Sequence, residues 1–248
     1  MTGLILGPRA VSAPVPAATP EPAARVEEER TADAFGAGAA EPYERALRGA
    51  STRLVLRDAG RPRRRAHLDV ARYLTAPTAR ERLLVLEGDG PVLDVGCGPG
   101  RMVQAALLAG RPALGIDLSE TSIALARARR LPVARLSVFE PVPDEGEWGT
   151  VLLMDGNIGI GGDPARLLVR CAEIVRPGGH VVIETHRRAR RDRRFAAELV
   201  GDDLIASLPF PWAEVGATGL RRHASGAGLV PVTRRRLGRR RVEIYRRG

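Results

Sequence analysis

The stretch Val92-Leu93-Asp94-Val95-Gly96-Cys97-Gly98-Pro99-Gly100 sets an apolar run and an acid ahead of three glycines at alternate positions. An apolar run of this length bounded by glycine reads as a buried strand ending in a tight turn. Glycine opens backbone angles closed to other residues and lets a ligand lie against the main chain. The helix expected next presents free N–H groups to that ligand. A dinucleotide site needs Gly-x-Gly-x-x-Gly, with the pyrophosphate on the helix N-terminus. Here position 101 is Arg and the spacing is Gly-x-Gly-x-Gly. Asp94, two residues before the first glycine, suits a cationic ligand and repels a pyrophosphate. Asp117 closes Leu114-Gly115-Ile116-Asp117, where a carboxylate accepts both hydroxyls of a ribose. Its spacing from the loop fits either cofactor. Taken alone, Asp117 or Ser119 could simply cap the next helix.

A third motif, Ile174-Val175-Arg176-Pro177-Gly178-Gly179-His180-Val181-Val182-Ile183-Glu184, joins a helix end, a Pro-Gly-Gly turn and a strand. With these three motifs, residues 91–185 resemble the class I S-adenosylmethionine-dependent methyltransferases of small-molecule type. S-adenosyl-L-methionine carries an ammonium and a sulfonium, which agrees with Asp94. The resemblance implies an α/β fold: a doubly wound, mostly parallel seven-stranded sheet (the Rossmann-like methyltransferase fold) with an antiparallel C-terminal hairpin. Residues 229–246 around Gly238 are the candidate hairpin. By the same resemblance Asp94, Gly96, Cys97, Gly98 and Gly100 bind the cofactor around its methionine end. Asp117 then binds ribose, and Leu118 packs on adenine. The family often places an acid or Asn after the third strand to hold the adenine amino group. This chain has Ser137, Val138, Phe139 and then Glu140 there, so a backbone N–H at Val138 or Phe139 is the expected substitute.

Asp155 and Asn157 leave the fourth core strand in Met154-Asp155-Gly156-Asn157-Ile158-Gly159-Ile160-Gly161-Gly162-Asp163-Pro164. In such sheets ligands lie beyond the carboxyl ends of the strands. Both residues are therefore expected to face the cofactor or the acceptor, on a glycine-rich floor that lets the backbone come close. Asp163-Pro164 reads as a helix cap. Asp155 and Asp163 lack a third ligand, so no metal site is assigned. His186, just past the fifth strand, is a candidate general base for an acceptor hydroxyl, or else a solvated histidine. Asp155, Asn157 and His186 form the candidate catalytic set. Trp212 is a candidate lid or core anchor. Arg187–Arg194 reads as a solvated loop, with an anion clamp as the alternative. Tyr43 and Arg72 are further candidates, since the segment before the core covers the cofactor in many methyltransferases. Methyl transfer is an in-line displacement at an already activated carbon, so alignment and exclusion of water matter more than a catalytic triad.

These residues must be positioned by a regular core. Apolar runs at 92–95, 113–116, 133–136, 150–154 and 180–184 alternate with helical segments near 100–109, 121–129 and 164–175, a pattern that predicts a parallel sheet. Residues 1–40 are rich in Pro and Ala and read as a disordered tail. Residues 41–90 read as a helical and basic extension covering the site, and 91–248 as the cofactor-binding domain. Arg53–Leu56 is a candidate strand. Phe195–Leu208 reads as a helix, Pro209–Trp212 as a rigid turn and Ala213–Ser225 as another helix.

The formal charge is +10, and all 39 basic residues are Arg. Combined with abundant Ala, Gly and Pro, this reads as GC-rich coding bias rather than as a nucleic-acid footprint. Two cysteines without ligand spacing, no apolar run near membrane length and no convincing signal peptide point to a cytoplasmic protein. The expected reaction is methyl transfer to a small molecule, with no nucleic-acid or membrane partner; the sequence sets no oligomeric state. The alternatives are methylation of RNA or protein, or a module that binds S-adenosylmethionine without turnover. RNA or protein methylation favours an Asn-Pro-Pro-Tyr-like or Asp-Pro-Pro-Tyr-like segment after the fourth strand, which Asp155-Gly156-Asn157-Ile158 is not.

Overall fold

The computed structural model describes Phe35, residues 42–49 and residues 53–248. Apart from Phe35, the tail read at 1–40 lies outside the described residues.

The core is a seven-stranded sheet. Its strands are β3 (Val92–Val95), β4 (Ala113–Asp117), β5 (Val133–Arg135), β6 (Trp148–Leu153), β7 (Val175–Thr185), β10 (Leu229–Leu237) and β11 (Arg240–Arg247), in the order β10-β11-β7-β6-β3-β4-β5. β3 through β7 run parallel, and β11 pairs antiparallel with both β7 and β10. Every residue of β3 and β6 is buried, because helices cover both faces of a parallel sheet and its strands read as unbroken apolar runs. Leu93, Val151, Leu153, Val181 and Ile183 face one side, where α6 (Pro164–Ile174) lays down Leu167, Leu168 and Cys171. Val92, Leu152, Val182 and Ile244 face the other, against Met102, Ala105 and Ala106 of α4 (Arg101–Leu108). Asp163 caps α6 by accepting from the N–H groups of Ala165 and Arg166, with Pro164 in the first turn. The strand order reverses between β3 and β6, which opens a crevice at their carboxyl ends.

A second sheet corrects the sequence reading. β1 (Leu54–Asp58), β2 (Arg61–Leu68), β8 (Asp192–Val200) and β9 (Phe210–Val215) form a four-stranded antiparallel sheet in the order β2-β1-β8-β9. The helix expected over 195–208 is instead β8, and the expected turn at 209–212 opens β9. The second expected helix begins only at Ala217, as α7 (Ala217–Gly226). The Ala-Ala-Glu-Leu run favours helix locally, but pairing on both edges overrides it. Phe195, Ala197 and Leu199 then face inward beside Leu54 and Leu56 of β1. Arg193 fastens the sheet: it binds Asp58 of β1 at 2.6 Å and Glu214 of β9 at 3.0 Å, and stacks over Phe195.

This small sheet explains Gly159 and Gly162, which lie in a 3-10 segment (Asn157–Gly162) against β9. A Cβ on Gly159 would stand 2.4 Å from the Ala213 carbonyl oxygen and 2.6 Å from the Trp212 ring. The close approach foreseen from these glycines is made by β9.

At the opposite end of the sheet, Arg111 is buried and fastens the 85–90 connection. It donates to the carbonyls of Val85, Gly88 and Gly90 and to the Thr150 hydroxyl. Arg111→Ala strands these acceptors. Chemical denaturation is expected to show a loss of about 2–4 kcal/mol in stability, with ligand affinity at the distant crevice unchanged.

Candidate active site

The glycine loop leaves β3 at the reversal point and is held from two sides. The Asn157 side chain donates to the carbonyls of Val95 and Gly96, each at 2.8 Å. Asp117 accepts from the Gly98 N–H at 2.8 Å with one oxygen and from the Ser119 N–H at 2.8 Å with the other. Burial raises the Asp117 pKa and these backbone donors oppose that rise. Asn157 is thus a positioning residue for the loop. Gly100 sits at φ +83°, and a Cβ there would stand 2.6 Å from Leu131. Gly100, expected among the cofactor contacts, packs against this neighbour and is not among the residues that line the cavity beside the loop.

Between the loop and the small sheet lies a cavity of about 490 Å³, within the range of small-ligand sites. Gly96, Cys97, Gly98, Asp117, Leu118 and Val138 line it, as expected of cofactor residues. Phe139 does not. Its N–H donates to Ser137 Oγ at 3.2 Å, and its ring packs between Gly161 and the Arg166 guanidinium. Tyr43 and Arg72 both reach the wall, as do Trp212 and Phe35, whose rings lie 5.0 Å apart.

Asp94 stands on the cavity floor at 2% exposure, and among the described residues no group donates a hydrogen bond to its carboxylate. Burial pushes its pKa up to about 8; Arg101 opposes the rise, while Asp155 and Asp117 add to it. A carboxyl in this state gains a strong partner from a cation.

Asp155 enters the cavity wall from a left-handed backbone at φ +56°, but it is not a free base. Arg72 binds it at 2.5 Å, Arg240 at 2.8 Å, and Arg101 pairs with its other oxygen. Arg101 and Arg240 also hold Glu81, and Arg240 holds Glu184, which accepts from the Asp155 N–H at 2.8 Å. Burial opposes ionisation of Glu81, yet the Thr78 N–H and Arg101 hold its pKa down at about 2. Sequence reasoning missed Arg101, Glu81 and Arg240 as site residues. Arg101 directly follows the last glycine, and Thr78-x-x-Glu81 is a readable capping box. Arg240 had no local signal, since its partners lie far away in the chain.

His186 also lines the cavity. Its Nδ1 accepts from the Arg188 N–H at 3.0 Å. Burial lowers its pKa, with Glu214 opposing the shift. In the neutral ring the hydrogen then sits on Nε2. With Nδ1 so engaged, Nε2 is the ring nitrogen left for a ligand.

The fold and its loop are those of a class I methyltransferase. A methyltransferase-domain family model matches residues 64–222, and the chain belongs to that S-adenosylmethionine-dependent family. It is 33% identical over 128 residues to a ubiquinone biosynthesis O-methyltransferase of Bordetella bronchiseptica, and 32% over 126 residues to that of Acinetobacter baylyi. These matches cover 47% of the chain and 50–51% of the relatives, so it spans about half the length of the curated relatives it matches. A Bacteroides fragilis S-adenosylmethionine-dependent methyltransferase, solved with S-adenosyl-L-homocysteine, superposes with a TM-score of 0.66 over 87% of this chain and 95% of its own, at 16% identity. The Burkholderia thailandensis 1,6-didemethyltoxoflavin-N1-methyltransferase superposes at 0.51 over 68% and 77%, at 20% identity. At such identities these structures support the fold alone.

Removing one partner of a buried ion pair leaves an uncompensated charge. Asp155→Asn is therefore expected to cost about 2–4 kcal/mol of stability. Urea denaturation measures this, and a loss under about 0.5 kcal/mol would show that the arginine cluster does not depend on Asp155.

Proposed function

We propose that this protein transfers a methyl group from S-adenosyl-L-methionine to a small-molecule acceptor by in-line displacement. The carrying observation is Asp94: a buried carboxyl at the cavity floor without a hydrogen-bond donor among the described residues, beside the glycine loop. The cofactor's ammonium supplies the missing partner. When bound, the cofactor brings a methyl carbon already activated by sulfonium. The chain's task is to orient and to exclude water. Asp117 holds the ribose, Leu118 and Val138 flank the adenine, and Tyr43 closes over Gly98. The small sheet covers the acceptor side with Leu56 and Trp212, and the 3-10 segment adds Ile160.

Enclosure by that sheet favours a small acceptor over RNA or protein. Among the described residues, no helix is long and apolar enough to cross a membrane. Turnover separates an enzyme from a module that only binds the nucleoside: methylation of any acceptor excludes the latter.

Calorimetry with S-adenosylmethionine, S-adenosylhomocysteine and NAD tests the ligand. Binding of NAD without the sulfonium compound would falsify this reading. Asp117→Ala is expected to weaken the nucleoside about 10–100-fold, since hydrogen bonds to a charged acceptor are lost; unchanged affinity removes its ribose role. Asp94 binds a proton below about pH 8 when free, and a cation favours its ionised form. Cofactor binding at pH 6–7 is therefore expected to release a proton, with affinity rising by up to about tenfold per unit as pH climbs to 8. Titrations in two buffers of different ionisation enthalpy read that proton, and Asp94→Asn is expected to abolish its release.

A further inference from the structure

The charged groups of the cavity wall fall into two sets. The inner arginines, Arg72, Arg101 and Arg240, are all neutralised by Asp155, Glu81 and Glu184. Arg187, beside His186, and Arg239, at the turn of the β10–β11 hairpin, also line the cavity. Neither has a carboxylate within 4 Å among the described residues. Two further carboxylates of the wall are engaged. Glu214 bridges Arg191 and Arg193, and Asp69 accepts from the Arg72 N–H as the cap of α2 (Val70–Leu74). His186 adds a donor, since the Arg188 N–H occupies Nδ1 and leaves the hydrogen on Nε2. The second histidine of the wall, His67, comes from β2 on the small sheet.

Granted the methyl-transfer reading above, on which it rests, we propose that the acceptor is a small oxyanion, a carboxylate or phenolate, anchored by the Nε2–H of His186 and the guanidinium groups of Arg187 and Arg239. Planar guanidinium groups and an N–H donor suit an oxygen acid. The apolar walls at Leu56, Ile160 and Trp212 suit its carbon skeleton. An anion also needs no base. Its oxygen supplies the electron pair of the new C–O bond, the sulfur keeps the pair of the breaking C–S bond, and no proton changes place. This accounts for a cavity in which Asp155, Glu184 and Glu214 are tied to arginine and the Nδ1 of His186 is taken by the Arg188 N–H. His186 is here an acceptor-binding donor rather than a general base.

The test first titrates the full chain with S-adenosylhomocysteine. Failure to bind overturns the methyl-transfer reading itself. The loaded protein is then titrated by calorimetry with 4-hydroxybenzoate and with its neutral isostere 4-hydroxybenzamide. The anion is expected to bind at least about tenfold more tightly, the scale of one charge-assisted hydrogen bond. The double variant Arg187→Ala/Arg239→Ala is expected to erase that preference. His186→Ala should weaken the anion several-fold, and His186→Gln, whose amide N–H replaces Nε2–H, should restore it. Loaded protein that binds both probes equally, binds neither at millimolar concentration, or keeps its preference in the double variant overturns the oxyanion proposal alone. Equal loss in His186→Ala and His186→Gln overturns the donor role.

Discussion

The ion cluster around Asp155 is the constraint on which the site depends. Arg72 comes from the segment before the core, Arg101 from the helix after the glycine loop, and Arg240 from the C-terminal hairpin. Their carboxylates come from α3 (Ala79–Leu84), the exit of β6 and the end of β7. Arg101 is 3% exposed, so its charge carries a desolvation cost that only close pairing offsets. A cluster that must be complete to be tolerated fixes the relative positions of every segment that reaches it. The cavity inherits its shape from that requirement more than from any single hydrophobic contact.

The second constraint is the close approach of β9 to 156–162. Larger residues at Gly159 would collide with the Ala213 carbonyl and the Trp212 ring. The small sheet therefore sits directly on the strand exits, and the crevice that open α/β sheets leave exposed becomes a walled cavity. The same contact places Trp212 between cavity and core, packed against Phe35 and Phe210. It packs as the core anchor its sequence context suggested and also lines the cavity.

How much of this was legible follows from physics. The parallel core was readable because strands buried on both faces are continuous apolar runs, and because three motifs marked their ends. The loop, Asp94 and Asp117 were readable because their chemistry is local. The small sheet was not. β1 and β8 pair across more than a hundred residues, β8 is helix-favouring in composition, and β2 is an almost fully exposed strand of arginines with no alternation to detect. Asp155 was found by position but its ion pairing was not legible, since its three arginine partners converge from distant segments. Gly100 was placed by motif and Phe139 as a substitute for a missing one, and their packing against Leu131 and Gly161 had no local signal.

The charge of the chain takes on meaning only at this level of detail. A net charge of +10 suggests an indiscriminate anion binder, yet the inner cavity is close to neutral because its arginines are matched one by one with carboxylates. What remains unmatched is ordered in space: a carboxylate at the floor, and arginines toward the rim. A cation is drawn to the floor and an anion to the rim, so the same field that binds each ligand also sets them facing one another. In the methyl transfer to an oxyanion proposed above, displacement cancels the sulfonium charge on the donor against the negative charge on the acceptor. The acceptor's attraction to the rim disappears in the act of reaction, and with it part of the affinity for the methylated product, while the ammonium keeps its hold on Asp94. A site of this kind needs no acid or base of its own, because charge placement does the work of alignment before reaction and of release after it.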